Sequence, residues 1–193
     1  MVRIGRGLLG VVVAASLALG SWVASDELAE QYAYGFEKVS ITGVPNAGRV
    51  NPHLYRGGQP TAAGLAALRS LGVTTIVSFT LEGEDAKSEA AAARTLGLQF
   101  IHLPWSASGE PPEDYVSQFL ELASPTHSGV VFAHCKAGAD RTGLMIAAYR
   151  VLSDGWPLNQ ALDEMDAFGY EVEFHPQLRR FVRNLALKRI ASS

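Results

Sequence analysis

Residues 130–149 read VVFAHCKAGADRTGLMIAAY. Residues 130–133 form a short apolar run that predicts a buried strand, and residues 144–149 predict the beginning of a helix. The ten residues between them, 134–143, therefore predict a tight loop that joins a strand to a helix N-terminus. Backbone N–H groups and the positive end of the helix dipole then surround Cys135, which is the only cysteine in the chain.

Such an environment favours anions, so we expect it to hold Cys135 as a thiolate and to bind a phosphate group above it. Arg141 follows in the same loop and can offer a planar guanidinium fork to two phosphate oxygens. Together these features indicate a cysteine nucleophile that attacks a phosphoester. An inert buried cysteine is the alternative interpretation, and the strand–loop–helix context argues against it.

The loop resembles the Cys-x5-Arg signature loop of the protein tyrosine and dual-specificity phosphatases. It is most similar to the atypical dual-specificity and lipid-phosphatase branches of that superfamily. A second segment, LYRGGQP at residues 54–60, resembles a Tyr-Arg-Ser-Gly-Gln-Pro stretch of many small bacterial and fungal members. The resemblance covers about residues 49–186.

The resemblance implies roles for individual residues. Cys135 is the nucleophile, Arg141 binds the phosphate, and the Thr142 hydroxyl eases departure of the thiolate when the intermediate is hydrolysed. His134 helps to keep the cysteine ionised. The expected substrate-binding set is His134, Lys136, Ala137, Gly138, Ala139 and Thr142. No metal or other cofactor is implied, because phosphoryl transfer to a thiolate needs none.

The general acid of the resembled family is missing from its expected place. In that family a mobile loop upstream of the cysteine carries an aspartate that protonates the leaving oxygen, but residues 104–109 here contain no acid. We predict that Asp140 is the catalytic acid, because it resembles an aspartate of lipid-acting bacterial phosphatases. Glu110 is the second candidate, and an enzyme without a general acid is the third. A structural role for Asp140, capping N–H groups or pairing with Arg56, stays open.

Strands alternate with helices along the rest of the chain. This order predicts an α/β domain with a central, largely parallel sheet flanked by helices. The predicted strands are 38–42, 50–55, 74–79, 99–103 and 130–133, and the predicted helices are 61–71, 85–96, 112–122, 142–152, 157–168 and 176–189. A turn is expected at Gly57-Gly58. Thr61 is expected to cap the helix that begins there, and Gly72 and Gly97 are expected to end the first two helices.

The N-terminus has the pattern of an export signal. Arg3 and Arg6 precede residues 7–24, which carry no formal charge, as in a secretory signal peptide. An uncleaved membrane anchor is the alternative, since eighteen helical residues span about 27 Å of a roughly 30 Å hydrocarbon core. We therefore predict a signal peptide or anchor at 1–24, a lead-in segment at 25–48 and a phosphatase domain at 49–190. Either version places the domain outside the cytoplasm, secreted, periplasmic or membrane-anchored.

Composition and charge limit the classes of molecule that the chain is expected to bind. The formal net charge is −3, which gives no electrostatic reason to expect nucleic acid binding. The expected substrate is a phosphorylated protein, a phosphoinositide or an inositol phosphate, and Lys136 mildly favours the last two. Two other functions remain open: an inactive phosphate-binding pseudophosphatase and a rhodanese-like sulfurtransferase. The His134 and Arg-Thr-Gly residues around the loop argue against the sulfurtransferase.

Overall fold

The computed structural model describes residues 35–191. The strands in this part of the chain are β1 (Glu37–Lys38), β2 (Gly48–Asn51), β3 (Leu54–Gly58), β4 (Val73–Ser78), β5 (Gln99–His102) and β6 (Val130–Cys135). The helices are α1 (Ala62–Ser70), α2 (Glu84–Thr95), α3 (Glu113–Ala123), α4 (Asp140–Leu152), α5 (Leu158–Ala167) and α6 (Pro176–Ala191).

The strands form one mixed sheet in the order β1-β2-β3-β6-β4-β5. The pairs β3–β6, β6–β4 and β4–β5 are parallel, whereas β1 and β2 extend one edge with antiparallel pairing. The predicted largely parallel sheet is thus confirmed. Because β6 lies between β3 and β4, its carboxyl end has a strand on either side. In open α/β sheets this end of the strands is where ligands bind.

Helices cover both faces of the sheet. Alternate residues of β6 point to opposite faces, so Val131 and Ala133 join one hydrophobic cluster and Phe132 joins the other. The first cluster packs against α3, α4, α5 and α6, and the second packs against α1 and α2. Every residue of α4 from Thr142 to Val151 is buried, which fixes the helix that follows the predicted catalytic loop.

The residues predicted to begin α1 and to end α1 and α2 do so in the structure. The Thr61 hydroxyl caps α1 by accepting the N–H of Gly64 at 3.1 Å. Gly72 and Gly97 follow α1 and α2 with φ angles of +88° and +69°, a backbone conformation that glycine adopts without strain.

The region before α1 differs from the sequence prediction. The single strand predicted over 50–55 is two antiparallel strands, β2 and β3, which turn at Pro52 and His53. Gly57 and Gly58 do not form a turn; they continue β3 and pair with His134 and Cys135 of β6. The predicted strand over 38–42 is shorter and lies at Glu37–Lys38.

The N-terminal prediction for residues 1–24 lies outside the described residues. Part of the predicted lead-in at 25–48 belongs to the folded unit, since β1 pairs with β2, and Val44 and Ala47 are buried. Across residues 35–191, no helix combines the length and the apolar character needed to span a membrane.

Candidate active site

The signature loop has the predicted position at the carboxyl end of the sheet. Cys135 is the last residue of β6 and is 2% exposed, and α4 begins five residues later at Asp140. The helix is 13 residues long, so its first turn offers free N–H groups and a positive dipole end to the loop. The cysteine thus lies where a bound anion is stabilised by the backbone.

The loop lies directly against the backbone of β3. Gly138 has a φ of +74°, and a Cβ at this position would lie 2.4 Å from the carbonyl carbon of Gly57 and 2.5 Å from the nitrogen of Gly58. The backbone N–H of Gln59 donates to the carbonyl of Lys136 at 3.2 Å. Gly138 therefore meets two requirements at once, a left-handed backbone and a close approach of two chains.

Arg56 supports the loop from inside the protein. Its side chain is fully buried, and Nη2 donates to the carbonyl of Gly138 at 3.1 Å. Nη1 pairs with Oε1 of Glu164 at 3.2 Å, and the guanidinium stacks 3.8 Å from the ring centre of Phe168. Burial lowers the pKa of Arg56 to about 10, and Glu164 opposes that shift. Asp140 is not its partner, so the pairing of these two residues considered from the sequence was wrong.

Glu164 links Arg56 to a second buried arginine. Its Oε2 accepts from Nε of Arg150 at 2.8 Å, and Nη1 of Arg150 pairs with Asp154 at 2.8 Å. The Arg150 guanidinium also stacks on the ring of Trp156. Each of these buried charges therefore has at least one opposite charge in contact, as buried charges require.

Arg141 is oriented by two carbonyl groups. Nη1 donates to the carbonyl of Phe79 at 2.7 Å and to that of Trp105 at 3.3 Å. Phe79 follows β4 and Trp105 follows β5, so the connections after two neighbouring strands hold the guanidinium. Both bonds use the same nitrogen, which leaves the rest of the fork for phosphate oxygens. Trp105 itself is buried beneath its loop.

His134 lies in the interior and not on the substrate side. It has no exposed surface, its ring stacks on Phe132, and Nδ1 lies 3.2 Å from the carbonyl oxygen of Cys135. Nε2 lies 2.8 Å from Oε1 of Glu89, and neither atom makes a hydrogen bond in the described structure. His134 therefore adjoins the site through the strand that carries Cys135.

A polar chain connects this buried histidine to the outer part of the loop. Oε2 of Glu89 accepts from the amide of Gln59 at 2.9 Å, and the same amide accepts from Nζ of Lys136 at 3.1 Å. Lys136 also pairs with Asp85 at 3.3 Å. Sequence reasoning missed Glu89 and Asp85. Glu89 did leave a signal, because it is a lone acid on the apolar face that α2 forms with Ala86, Ala90 and Ala93.

The two candidate acids lie in different places. Asp140 is in the first turn of α4, and its Oδ1 accepts the backbone N–H of Glu171 at 3.1 Å. Ligand atoms of Asp140, Glu171 and His175 lie within 4.8 Å of one another. Glu110 lies apart, in a hollow formed with Phe181 and other α6 residues. The structure thus places Asp140 in the signature loop and Glu110 against α6.

Thr142 lies in the first turn of the helix that follows Cys135. Its hydroxyl is buried in the first turn of α4 and has no hydrogen-bond partner among the described residues. Its O–H is therefore a buried donor that no described group uses.

This fold and loop define the class of cysteine-based phosphatases, and comparison with known proteins agrees. The chain belongs to the family described as a DSP-PTPase phosphatase fused to NAD+ kinase, whose model matches residues 38–177. The resemblance seen in the sequence is thereby confirmed, and neither the pseudophosphatase nor the sulfurtransferase alternative is favoured.

Several of the named relatives are phosphatases. The dual specificity protein phosphatase TpbA of Pseudomonas aeruginosa is 36% identical over 125 residues, which are 65% of this chain and 55% of TpbA. The chain thus spans about half the length of this relative. The crystal structure of TpbA matches with a TM-score of 0.64 and 31% identity, over 79% of this chain and 94% of that one. The inositol diphosphatase DSP4 of Arabidopsis thaliana is 25% identical over 127 residues, 64% of this chain and 63% of DSP4.

We predict that Gly138→Ala lowers kcat/KM for an aryl phosphate about 100-fold, because displacing a catalytic loop by about 1 Å has an effect of that order. The added Cβ collides with the backbone of β3. Gly97→Ala is the matched control: its φ of +69° imposes a similar strain, but its Cβ meets nothing within 4 Å. Steady-state kinetics and thermal unfolding of both variants separate the two effects. Equal activity in the two variants would show that the close approach to β3 does not matter.

Proposed function

We propose that this chain hydrolyses phosphomonoesters through a phosphocysteine intermediate, as a phosphatase of the dual-specificity type. The observation that carries the proposal is the orientation of Arg141 by two carbonyl groups at a loop that begins with Cys135. The thiolate attacks phosphorus, an S–P bond forms, and the bond to the leaving oxygen breaks. Arg141 and the loop N–H groups hold the equatorial oxygens in this step.

In the second step, water attacks the phosphocysteine and the S–P bond breaks. Inorganic phosphate leaves and the thiolate of Cys135 is restored. The buried hydroxyl of Thr142 is free to donate to the departing sulfur, which stabilises its charge. The same donors serve both steps, because the equatorial oxygens occupy the same place in each.

Two groups of substrate are supported by the relatives. TpbA has a crystal structure in complex with phosphotyrosine, and DSP4 is named an inositol diphosphatase. We propose that this chain takes substrates from these groups. For a poor leaving group we propose Asp140 as the proton donor, since it adjoins Arg141 in the loop.

We also propose that the enzyme works outside the cytoplasm. Arg3 and Arg6 followed by the uncharged residues 7–24 support this proposal. The segment acts either as a cleaved signal peptide or as a membrane anchor with the catalytic domain outside.

Replacing the nucleophile tests the mechanism. We expect Cys135→Ser to abolish turnover of an aryl phosphate and to retain phosphate binding, because a serine hydroxyl is not ionised near neutral pH. Arg141→Lys is expected to lose most activity, at least about 100-fold, since an ammonium cannot bridge two oxygens in a fixed fork. Steady-state rates and phosphate binding by calorimetry check both. Substantial turnover by Cys135→Ser would require a different nucleophile.

A leaving-group comparison tests the acid. Asp140→Asn is expected to slow hydrolysis of an alkyl phosphate about 100-fold while changing that of an activated aryl phosphate little, because only the poor leaving group needs a proton. Glu110→Gln is the matched control and is expected to affect neither. If Asp140→Asn slows both substrates equally, its carboxylate serves to hold the 171–175 connection through the N–H of Glu171.

A reporter fusion tests the location. A reporter enzyme that is active only outside the cytoplasm, fused after Ser193, is expected to give a signal that deletion of residues 1–24 removes. The N-terminal sequence of the mature protein then distinguishes cleavage from anchoring. A full-length chain that stays in the cytoplasm contradicts both versions.

A further inference from the structure

The cavity beside Arg141 is bordered by acidic side chains. Its lining includes Glu82, Glu84 and Asp85, which lie between β4 and the first turn of α2, together with Lys136 and Arg141. The three acidic side chains are well exposed, at 74%, 90% and 81%. A substrate body that extends from the bound phosphate toward α2 therefore meets carboxylates that are in contact with solvent.

The two lysines near this cavity, Lys136 and Lys87, already form ion pairs with acidic side chains. Lys136, the one lysine of the signature loop, pairs with Asp85 at 3.3 Å and donates to Gln59. Lys87 pairs with Glu84 at 2.9 Å. Glu82 contacts only the imidazole of His102, at 3.6 Å, among the described residues. Among the described residues that line this cavity, Arg141 is the only cation without an acidic partner, and the reacting phosphate uses it.

The other side of the loop is acidic as well. Asp140 is held against the 171–175 connection, where Glu171 is exposed and Glu173 is also exposed. The basic groups near this segment are His175, with a ring nitrogen within 4.8 Å of the carboxylates of Asp140 and Glu171, and Arg179, which pairs with Asp166 at 3.2 Å. Acids thus stand on both sides of a single phosphate cradle, and a second phosphate on the substrate meets repulsion in either direction.

We infer that this site selects a phosphoryl group carried on a cationic body, a phosphotyrosine peptide with lysine or arginine beside the phosphorylated residue, over inositol polyphosphates and phosphoinositides. The inference deepens the proposed function and rests on it. The phosphate binds to the loop and Arg141, and the flanking basic side chains of the peptide pair with Glu82 and Glu171, which have no lysine or arginine partner among the described residues. A polyanionic substrate has no comparable partners, because Asp85 occupies Lys136.

The experiment compares two phosphotyrosine peptides that differ only in their flanking residues, lysine in one and glutamate in the other, with inositol hexakisphosphate as a third substrate. At low salt we expect kcat/KM to be about tenfold higher for the basic peptide, with a preference that shrinks as ionic strength rises. The inositol phosphate is expected to be the poorest substrate. Each value is divided by the kcat/KM of the same enzyme for an aryl phosphate that carries no charge apart from its phosphate group.

Variants assign the preference to particular side chains. The variant Glu82→Gln is expected to bring the ratio of the two peptides down about threefold, as a weak exposed pair is lost. Asp85→Asn is expected to raise turnover of the inositol phosphate, because it frees Lys136. Glu121→Gln, on the exposed face of α3, is the charge-matched control and is expected to keep the native ratio.

The results separate this inference from the proposed function. Equal use of the two peptides, or faster turnover of the inositol phosphate than of the basic peptide, overturns the inference while turnover of the aryl phosphate through Cys135 continues. Loss of the preference in Glu121→Gln also overturns it, since the effect would then come from net charge. Absence of any Cys135-dependent turnover of the aryl phosphate overturns the proposed function itself.

Discussion

The guanidinium of Arg56 lies inside the protein and donates to the carbonyl of Gly138 in the middle of the signature loop. Gln59 donates to the carbonyl of Lys136 in the same way, through its backbone N–H. With these carbonyls engaged by donors from β3 and the residue that follows it, the loop's own N–H groups are left for an anion. The phosphate site therefore depends on a contact behind the loop, away from the substrate.

A buried charge of this kind is costly unless it is paired. Glu164 and the ring of Phe168 offset the cost of burying Arg56, and Glu164 shares its second oxygen with Arg150. Removing one partner of a buried pair typically destabilises a protein by about 3–5 kcal/mol. The network thus ties α5 to β3 and the loop, and it couples the stability of the domain to the shape of the catalytic site.

Features that depend on neighbouring residues could be predicted from the sequence, whereas contacts between residues far apart along the chain could not. The strand–loop–helix around Cys135, the Thr61 cap and the glycines after α1 and α2 are local, and each was predicted from neighbouring residues. The partner of Arg56 is 108 positions away along the chain, so Asp140 was considered in place of Glu164. Gly57 and Gly58 suggested a turn, because sequence alone does not show that another backbone approaches them closely.

The charge partners of residues in the signature loop could not be predicted for the same reason, since they lie far away along the chain. Lys136 favoured lipid or inositol phosphate substrates when it was considered alone, but Asp85 of α2 occupies it in the folded chain. Glu89, which contacts the buried His134, is likewise supplied by α2. Helix α2 carried no recognised motif, and its contribution to the site appears only when it packs beside the loop.

The most direct test of this account is to stop the enzyme with denaturant during turnover of a phosphotyrosine peptide and to analyse its own peptides by mass spectrometry. The account predicts the added mass of one phosphoryl group on Cys135, formed and lost at rates consistent with turnover. Turnover with the phosphoryl group on another side chain, or with no covalent phosphoenzyme at all, would contradict it.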